Sequence, residues 1–415
     1  MEGTTVSPAG LQDFTAGPVS YTFSRAGKSD LTYKVTAEIA SNPILPGYHA
    51  DPEIMFSNKT GKFYCYTTTD GFSGWGGTYY TCYSSPDLVE WTLEGTVLDL
   101  ASNQVAWASG NAWAPAIEEK KVDGEYRYFY YFSGQPVSGG GKQIGVATSA
   151  SPVGPFVDHG SSIISKSPTG GGQQIDVDVF TDPTTGKSYI YWGNGYMAGA
   201  ELEDDMVSLV PGTTKVMTPS GGSLQTYAYR EAPYVIYRNG LYYFFWSVDD
   251  TGSANYHVAY GTSTEPLGKI TVAKDPIVLI QDAGSKIYGT AHNSILQIPG
   301  KDEWYIVYHR INRNYISQDP GIHRETCIDR IYFNEDGTIK RVIPTHRGVD
   351  PVDPEVMSGV QAPLAEGSAA EVVATAYYTI GGVYAGTSLE SAPRGIYIVR
   401  HTLADKSVRV DKVIK

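Results

Sequence analysis

GLYYFFWSV, residues 240–248, sets five aromatic side chains in a row behind a glycine. Its length and content read as a β-strand. Four other stretches repeat the pattern: GKFYCYTTT (61–69), EYRYFYYFSG (125–134), GKSYIYWGNG (186–195) and DEWYIVYHR (302–310). Each opens on a turn or charged residue, runs through aromatic and β-branched residues, and ends near Ser, Gly or a charge. The spacing, roughly 55 to 65 residues, suits one four-stranded antiparallel blade per repeat. Between them lie further strand-and-turn units, such as TYYTCYSSPDLVEWTLEG, QIGVATSASPVGPF and YHVAYGTSTEPLGKI. No segment sustains a 3.6-residue apolar period, so helices should be few. The expected fold class is all-β, a five-bladed β-propeller with a small C-terminal β appendage; a two-sheet sandwich is the alternative.

Composition narrows the function classes. The chain has 415 residues with 46 Gly, 32 Tyr and a charged fraction of 18%, below the usual quarter. That bias fits short aromatic strands and glycine turns. A formal net charge of -13 lacks the basic footprint of a nucleic-acid binder and fits a neutral substrate. No run of eighteen apolar residues is present, so no membrane span is expected. The opening MEGTTVSPAG has neither a basic nor an apolar leader region, so no signal peptide is visible. Cys65, Cys82 and Cys327 have no CxxC spacing; Cys65 and Cys82 could pair across a hairpin or remain buried free thiols, the preferred reading.

About a dozen residues ahead of each aromatic strand stands a short segment with a conspicuous side chain. In order these are HADPEI (Asp51), NAWAPAI (Trp113), QQIDVDVF (Asp176), YREAPYVI (Glu231) and GTAHNSIL (His292). If each begins the innermost strand of a blade, all five side chains aim at one axis, at equivalent repeat positions. Three carboxyls would then converge in a funnel where burial and like charge perturb their pKa values. Acid–base hydrolysis of a glycosidic bond needs such a set: one carboxyl to protonate the leaving oxygen, another to activate water or attack carbon. Strand parity does not separate Asp51 from Glu53, or Asp176 from Asp178, because residues two apart share a face.

At these residues the chain resembles glycoside hydrolase family 43, over about residues 42 to 346. The three acidic motifs appear in order, and WAP, AHNSIL and IDRIYFNEDGTI add to the likeness. The resemblance implies a five-bladed propeller and hydrolysis with inversion. It implies Asp51 as general base, Glu231 as general acid and Asp176 as the residue that tunes the acid's pKa. His292 matches a histidine near the channel centre that helps hold a hydrated calcium ion, so the expectation is no required cofactor and a structural Ca2+. Arg324, in GIHRETCIDRIYF, is the candidate arginine against base and sugar. Trp75, in DGFSGWGGTYY, and Trp113 are candidate sugar platforms. One departure is Ala116 in WAPAI, where many relatives carry Asp. Within the family, α-L-arabinofuranosidase is favoured, then β-xylosidase, then arabinan or galactan cleavage. A non-catalytic sugar-binding propeller and the retaining fructan hydrolases are the rivals; the latter's NDPN, RDP and EC motifs are absent.

VSGGGKQIGVA (137–147) lacks the Gly-Lys-Ser/Thr ending of a phosphate loop and reads as a hairpin turn. Residues 1–40 read as an extension clasping a propeller over 41–346. Residues 347–415 read as a linker and a β module, whose PRGIYIVR and closing KVIK resemble the small domain ending many exported Bacteroidetes-type proteins. A bacterial periplasmic, cell-surface or secreted monomer acting on arabinose- or xylose-containing plant carbohydrate is the expectation.

Overall fold

The structure is a computed structural model that describes residues 3–10, 12, 18–35, 41–352, 372–379, 384–388, 396–403 and 408–414. The five aromatic repeats become the second strands of five four-stranded antiparallel sheets: Lys62–Thr69, Glu125–Pro136, Ser188–Trp192, Leu241–Val248 and Trp304–Ile311. Strand order within each sheet follows the sequence. The first strands are His49–Ser57, Ala108–Val122, Asp178–Thr181, Glu231–Arg238 and Ala291–Gln297. They neighbour one another in a closed ring, blade 5 returning to blade 1. The fold is a five-bladed β-propeller, and three short 3-10 turns are the helical elements among the described residues.

Aromatic second strands follow from packing. One apolar cluster fills each blade interface, so a second strand is buried on both faces. Tyr64 and Tyr66 pack toward blade 2 with Tyr128 and Tyr130, while Phe63 and Cys65 pack toward blade 5 with Val307 and Ile328. Phe245 likewise meets Ile306 and Tyr308, and Phe244 meets Tyr191. A strand with two apolar faces cannot alternate polar and apolar residues. Cys65 and Cys82 belong to different clusters, on opposite faces of their sheet, and all three cysteines are free and buried.

Ring closure uses no exchanged strand. Residues 41–44 run beside the end of blade 5, with Asn42 at the joint. The Asn42 amide nitrogen donates to the carbonyls of Ile328 (2.9 Å) and Thr345 (3.0 Å), and its oxygen accepts from Ile328 N (2.8 Å). The backbone N–H groups of Ser41 and Asn42 bond Arg347 and His346, and Val352 N reaches Asp87 O.

A shared local device shapes the channel. Each first strand, or its approach, holds a residue in the left-handed region at an equivalent place: Asp51 (φ 50°), Ala114 (φ 40°), Asp176 (φ 59°), Ala232 (φ 55°) and His292 (φ 49°), with a second in blade 2 at Asn111 (φ 51°). The pairing register shifts across this residue in blades 1, 2, 4 and 5. Such backbone costs about 1–3 kcal/mol at a non-glycine and persists only where neighbours hold it. They do so in a girdle. The N–H of Ala114 donates to Thr68 Oγ1 (2.7 Å), that of Asp176 to Ser133 Oγ (3.3 Å), that of His292 to Ser247 Oγ (3.0 Å), and that of Asp51 to His309 Nδ1 (3.2 Å). Each acceptor sits on the second strand of the preceding blade. In blade 3 that position is Gly193, which has no side chain, and Asp176 Oδ2 takes the Ala232 N–H instead (3.2 Å).

The girdle corrects one expectation. Asp51, Asp176 and His292 occupy equivalent positions, but Trp113 and Glu231 stand one residue earlier, just ahead of the left-handed Ala114 and Ala232. Spacing from the aromatic strand cannot resolve one residue across a bulge.

The described N-terminal strands, Thr4–Ser7, Val19–Arg25 and Leu31–Val35, form a three-stranded antiparallel sheet. The chain divides after Gly359. The second unit is a four-stranded antiparallel sheet of Tyr384–Gly386, Val372–Thr379, Ile396–Leu403 and Val408–Ile414, in that spatial order. Of the stretch expected to be linker and β module, 347–415, residues 353–371 lie outside the described residues.

Candidate active site

One end of the channel opens into a cavity of about 220 Å3 lined by Asp51, Asp176, Glu231, His292, Arg324, Trp75 and Trp113, together with Gln173, Ile175, Asn194, Arg230, Asp250 and Thr251. All seven residues singled out in the sequence therefore meet there. First strands run away from this end and second strands return to it. Residues at second-strand exits, such as Asp70, Asn194 and Asp250, consequently flank the same cavity.

Asp51 sits in a cationic and imidazole-lined corner. Arg324 Nη1 donates to its Oδ1 (2.9 Å), and His292 Nδ1 and His309 Nδ1 lie 3.1 and 3.2 Å from that oxygen. Burial alone would raise this carboxyl; the charge of Arg324 leads the groups that overcome burial and hold it well below the usual range. Arg324 is itself fixed, by two bonds to Asp70 (Nε to Oδ2, 2.9 Å; Nη2 to Oδ1, 3.2 Å) and one to Thr251 Oγ1 (3.1 Å). Burial lowers His292 to about 4, so its ring is neutral at pH 7.

Glu231 faces the opposite environment. Burial, then the charges of Asp51 and Asp250, raise its carboxyl, while the Tyr256 hydroxyl and Arg230 restrain the rise. Tyr256 OH donates to Oε1 (2.7 Å) and Asn194 Nδ2 donates to Oε2. Arg230 Nε stands 3.9 Å from Oε2. Asp176, buried beside it, is pushed well up by burial and then by Glu231 and Asp51. The two form a pair that keeps a proton where isolated carboxylates would hold none.

Glu53 and Asp178, the parity partners of Asp51 and Asp176, do not line the cavity. They stand one layer down, two residues beyond the left-handed position, with Ala116, Tyr234 and Ser294. There Asp178 Oδ2 accepts from Val235 N (2.9 Å), Ser294 Oγ accepts from Ile54 N (3.2 Å), and Glu53 accepts from Ile117 N. These groups strap one blade to the next. Ala116 belongs to the apolar cluster with Val177 and Val179, so that interface is closed by packing. Burial, then Asp178, raises Glu53 well above its ordinary value. The unfolded chain releases this proton above about pH 4.3 while the folded chain keeps it, so stability falls as pH rises from there. Glu53→Gln should therefore match wild type at pH 4 and exceed it at pH 8. Each pH unit of retention costs about 1.4 kcal/mol, on the order of 3–5 °C in Tm. Thermal melts at the two pH values check this; an equal gap at both would contradict a protonated Glu53.

Trp75 and Trp113 wall the mouth. Trp113 Nε1 donates to Trp75 O (2.7 Å), Trp75 Nε1 donates to Gly321 O (2.8 Å), and Lys142 Nζ lies 4.7 Å over the Trp113 ring. The first strand of blade 2 and loops of blades 1 and 5 are thus tied together. Among the described residues no group of three or more His, Cys, Asp or Glu is placed to hold a metal ion directly. A calcium ion takes six to eight oxygen ligands, and His292 offers an imidazole nitrogen, so it would meet such an ion through water.

The sequence reading missed His309, Asn194, Tyr256, Asp70 and Thr251. His309 and Asn194 close aromatic stretches that had already been picked out, and their place at a strand exit was the available signal. Tyr256 opens the unit YHVAYGTSTEPLGKI with no signal of its own, and Thr251 comes from the loop before it.

A model of glycosyl hydrolases family 43 matches residues 40–339. A β-D-galactofuranosidase of Aspergillus niger is 35% identical over 320 residues, covering 75% of this chain and 87% of that protein. An arabinoxylan arabinofuranohydrolase of Paenibacillus polymyxa is 30% identical over 303 residues, covering 64% of this chain and 44% of that protein. Among solved structures, an arabinoxylan arabinofuranohydrolase of Bacillus subtilis, complexed with cellotetraose, superposes with a TM-score of 0.63 at 26% identity, covering 76% of this chain and 70% of that one. A thermostable family-43 glycoside hydrolase gives 0.63 at 25% identity, covering 73% and 95%.

Proposed function

The chain belongs to glycosyl hydrolases family 43, and from that premise we propose that it is an exo-acting, inverting hydrolase of terminal pentofuranosyl groups, an α-L-arabinofuranosidase on plant polysaccharide side chains. The observation carrying this reading is the split of carboxyl environments in one small cavity. Asp51 is held ionised by Arg324, while Glu231 and Asp176 across from it retain a proton. An ionised group can take a proton from water; a protonated group can give one to a leaving oxygen.

In this mechanism Asp51 accepts a proton from a water that attacks the anomeric carbon opposite the leaving group. Glu231 transfers its proton to the departing glycosidic oxygen. The base and acid carboxyls of an inverting pair stand about 6.5–9.5 Å apart, with the water between base and sugar. Asp176, whenever it is ionised, favours the proton on Glu231, and it fixes the backbone beside the acid through Ala232 N. Arg324 orients Asp51 and offers its remaining donor surface to a sugar hydroxyl, with His292 beside it. Trp75 and Trp113 are the apolar walls against which a furanose face rests. A cavity of about 220 Å3 is smaller than ordinary drug-sized pockets, and its walled mouth suits a single terminal sugar rather than a chain passing through. The hydrolysis needs no cofactor; a calcium ion held through water at His292 would be structural. Action outside the cell as a monomer completes the reading, in keeping with a relative from Streptomyces avermitilis named as an extracellular exo-arabinofuranosidase.

A second reading has one specific support: the Aspergillus relative of 35% identity is named a β-D-galactofuranosidase. β-D-Galactofuranose shares the ring stereochemistry of α-L-arabinofuranose and adds one hydroxymethyl at the exocyclic carbon. Gln173, Arg230 and Asp250 supply polar groups at the rim that could meet it.

Nitrophenyl α-L-arabinofuranoside, β-D-galactofuranoside and β-D-xyloside separate these. Highest kcat/KM on the arabinofuranoside is expected; a galactofuranoside preference moves the assignment to the second reading, and inertness on all three overturns both. Proton NMR of the first-formed anomer should show inversion. Glu231→Gln should lose about 10²-fold or more on an alkyl arabinofuranoside, yet far less on the nitrophenyl one, whose leaving group needs no proton. Equal loss on both would contradict the acid assignment.

A further inference from the structure

Tyr256 is fully buried in the loop before the third strand of blade 4 (His257–Ser263), and does not line the cavity. Its hydroxyl donates to Glu231 Oε1 at 2.7 Å while Asn194 Nδ2 holds Oε2, so each oxygen of the carboxyl has its own donor. The ring of Tyr256 stacks on His309, with centroids 5.6 Å apart and planes 18° from parallel. His309 in turn receives the Asp51 N–H. One rigid aromatic pair therefore spans the floor between the two carboxyls to which opposite roles are assigned. We propose that Tyr256 is a positioning residue for catalysis, setting both the orientation of the Glu231 carboxyl and the pH at which it loses its proton. This rests on Glu231 being the general acid.

The physical argument is directional. A hydroxyl that donates to a carboxyl favours the ionised form, so it opposes the rise that burial imposes. The other charged groups facing Glu231 are Arg230 on its own segment, Asp250 beyond the next strand, Asp176 from blade 3 and Asp51 from blade 1, with Tyr229 close by. Of the three carboxyls, Asp51 and Asp250 push the proton on by their charge, and Asp176, itself pushed well up, does so only when ionised. Arg230 is shared with Asp250 (Nη2 to Oδ2, 3.3 Å) and stays 3.9 Å from Glu231. The hydroxyl of Tyr256 and the amide of Asn194 are consequently the close donors that keep the acid able to release its proton. Burial and the nearby carboxylates hold the phenol itself neutral, so it remains a donor across the working range.

The test is the pH profile of kcat/KM on an alkyl arabinofuranoside, using the full chain. Tyr256→Phe keeps the stacked ring and removes only the donor. The alkaline limb should move up by about one pH unit, as for loss of one hydrogen bond to a charged group. At the pH optimum kcat should fall about 10-fold with KM unchanged, and the nitrophenyl substrate should lose less. A 3-fluorotyrosine placed at 256 by codon suppression is a stronger donor of nearly the same shape, and should move the limb down. This second variant decides the matter should Tyr256→Phe fold poorly. A limb that stays in place in either folded variant overturns the inference. If Glu231→Gln is itself harmless on the alkyl substrate, the acid assignment fails first, and the two failures remain distinct.

Discussion

Asp51→Asn should lower kcat/KM by about 10²–10⁴-fold on every substrate, regardless of leaving group. The amide has the shape of the carboxylate but cannot accept a proton from the attacking water. Independence from the leaving group distinguishes this loss from that of Glu231→Gln. The pH profile should change too. In wild type the acidic limb reports Asp51, and because Arg324 holds it well below the ordinary range, activity should persist to unusually low pH. The base works when deprotonated, so a depressed pKa extends the active range downward. In Asp51→Asn the residual activity should show no such limb, leaving only the alkaline one from the Glu231–Asp176 pair. Folding should survive, because the girdle uses the backbone N–H of residue 51 and Arg324 keeps its two bonds to Asp70. Steady-state kinetics from pH 3 to 9, with a thermal melt as control, check both parts. Activity within tenfold of wild type would remove Asp51 from the base role.

Gly193→Ala should produce a large loss of stability beside the site. Gly193 has φ 123°, where an L side chain is strained, and a Cβ there would stand 2.2 Å from Tyr196 O and 2.7 Å from the Tyr196 ring. A backbone carbonyl cannot step aside as a side-chain tip can. Strain of about 1–3 kcal/mol and overpacking of a similar size add to about 3 kcal/mol or more, a Tm drop on the order of 6–12 °C. Activity should fall beyond what unfolding explains. The displaced segment carries Asn194, which holds one oxygen of Glu231, and Gly193 O accepts from Tyr229 OH (2.6 Å). Differential scanning calorimetry and kcat measured well below Tm separate the two effects. A variant with wild-type Tm would show that the segment repacks freely.

How far the sequence reaches depends on what kind of force shapes each part. The five aromatic strands were legible because burial on both faces demands a run of large apolar residues, and that demand is local. Asp51 and Asp176 were legible as a class because they share the left-handed position of two blades. Their ambiguity with Glu53 and Asp178 came from strand parity, which cannot tell a cavity wall from the layer below it. The bulge resolves it by tilting one carboxyl out of the strand face. Glu231 was found although its repeat position differs by one, since its motif carried it. Tyr256, Asn194, Asp70 and Thr251 were not found: each is an ordinary polar residue whose meaning is a partner far away in sequence, as Arg324 is for Asp70. Sugar preference was equally out of reach, because rim groups such as Gln173 and Arg230 come from separate blades.

The girdle of side-chain acceptors has a consequence at blade 3. At the other interfaces the strut is a hydroxyl or a neutral imidazole, whose strength barely depends on the state of the reaction. Where Gly193 leaves the position empty, the strut is Asp176, a group that gains and loses a proton. An ionised Asp176 grips the Ala232 N–H more tightly than a protonated one, and Glu231 is the very next residue. The peptide bearing the acid is therefore tensioned by the charge of its neighbour, so scaffold and chemistry share a single hydrogen bond.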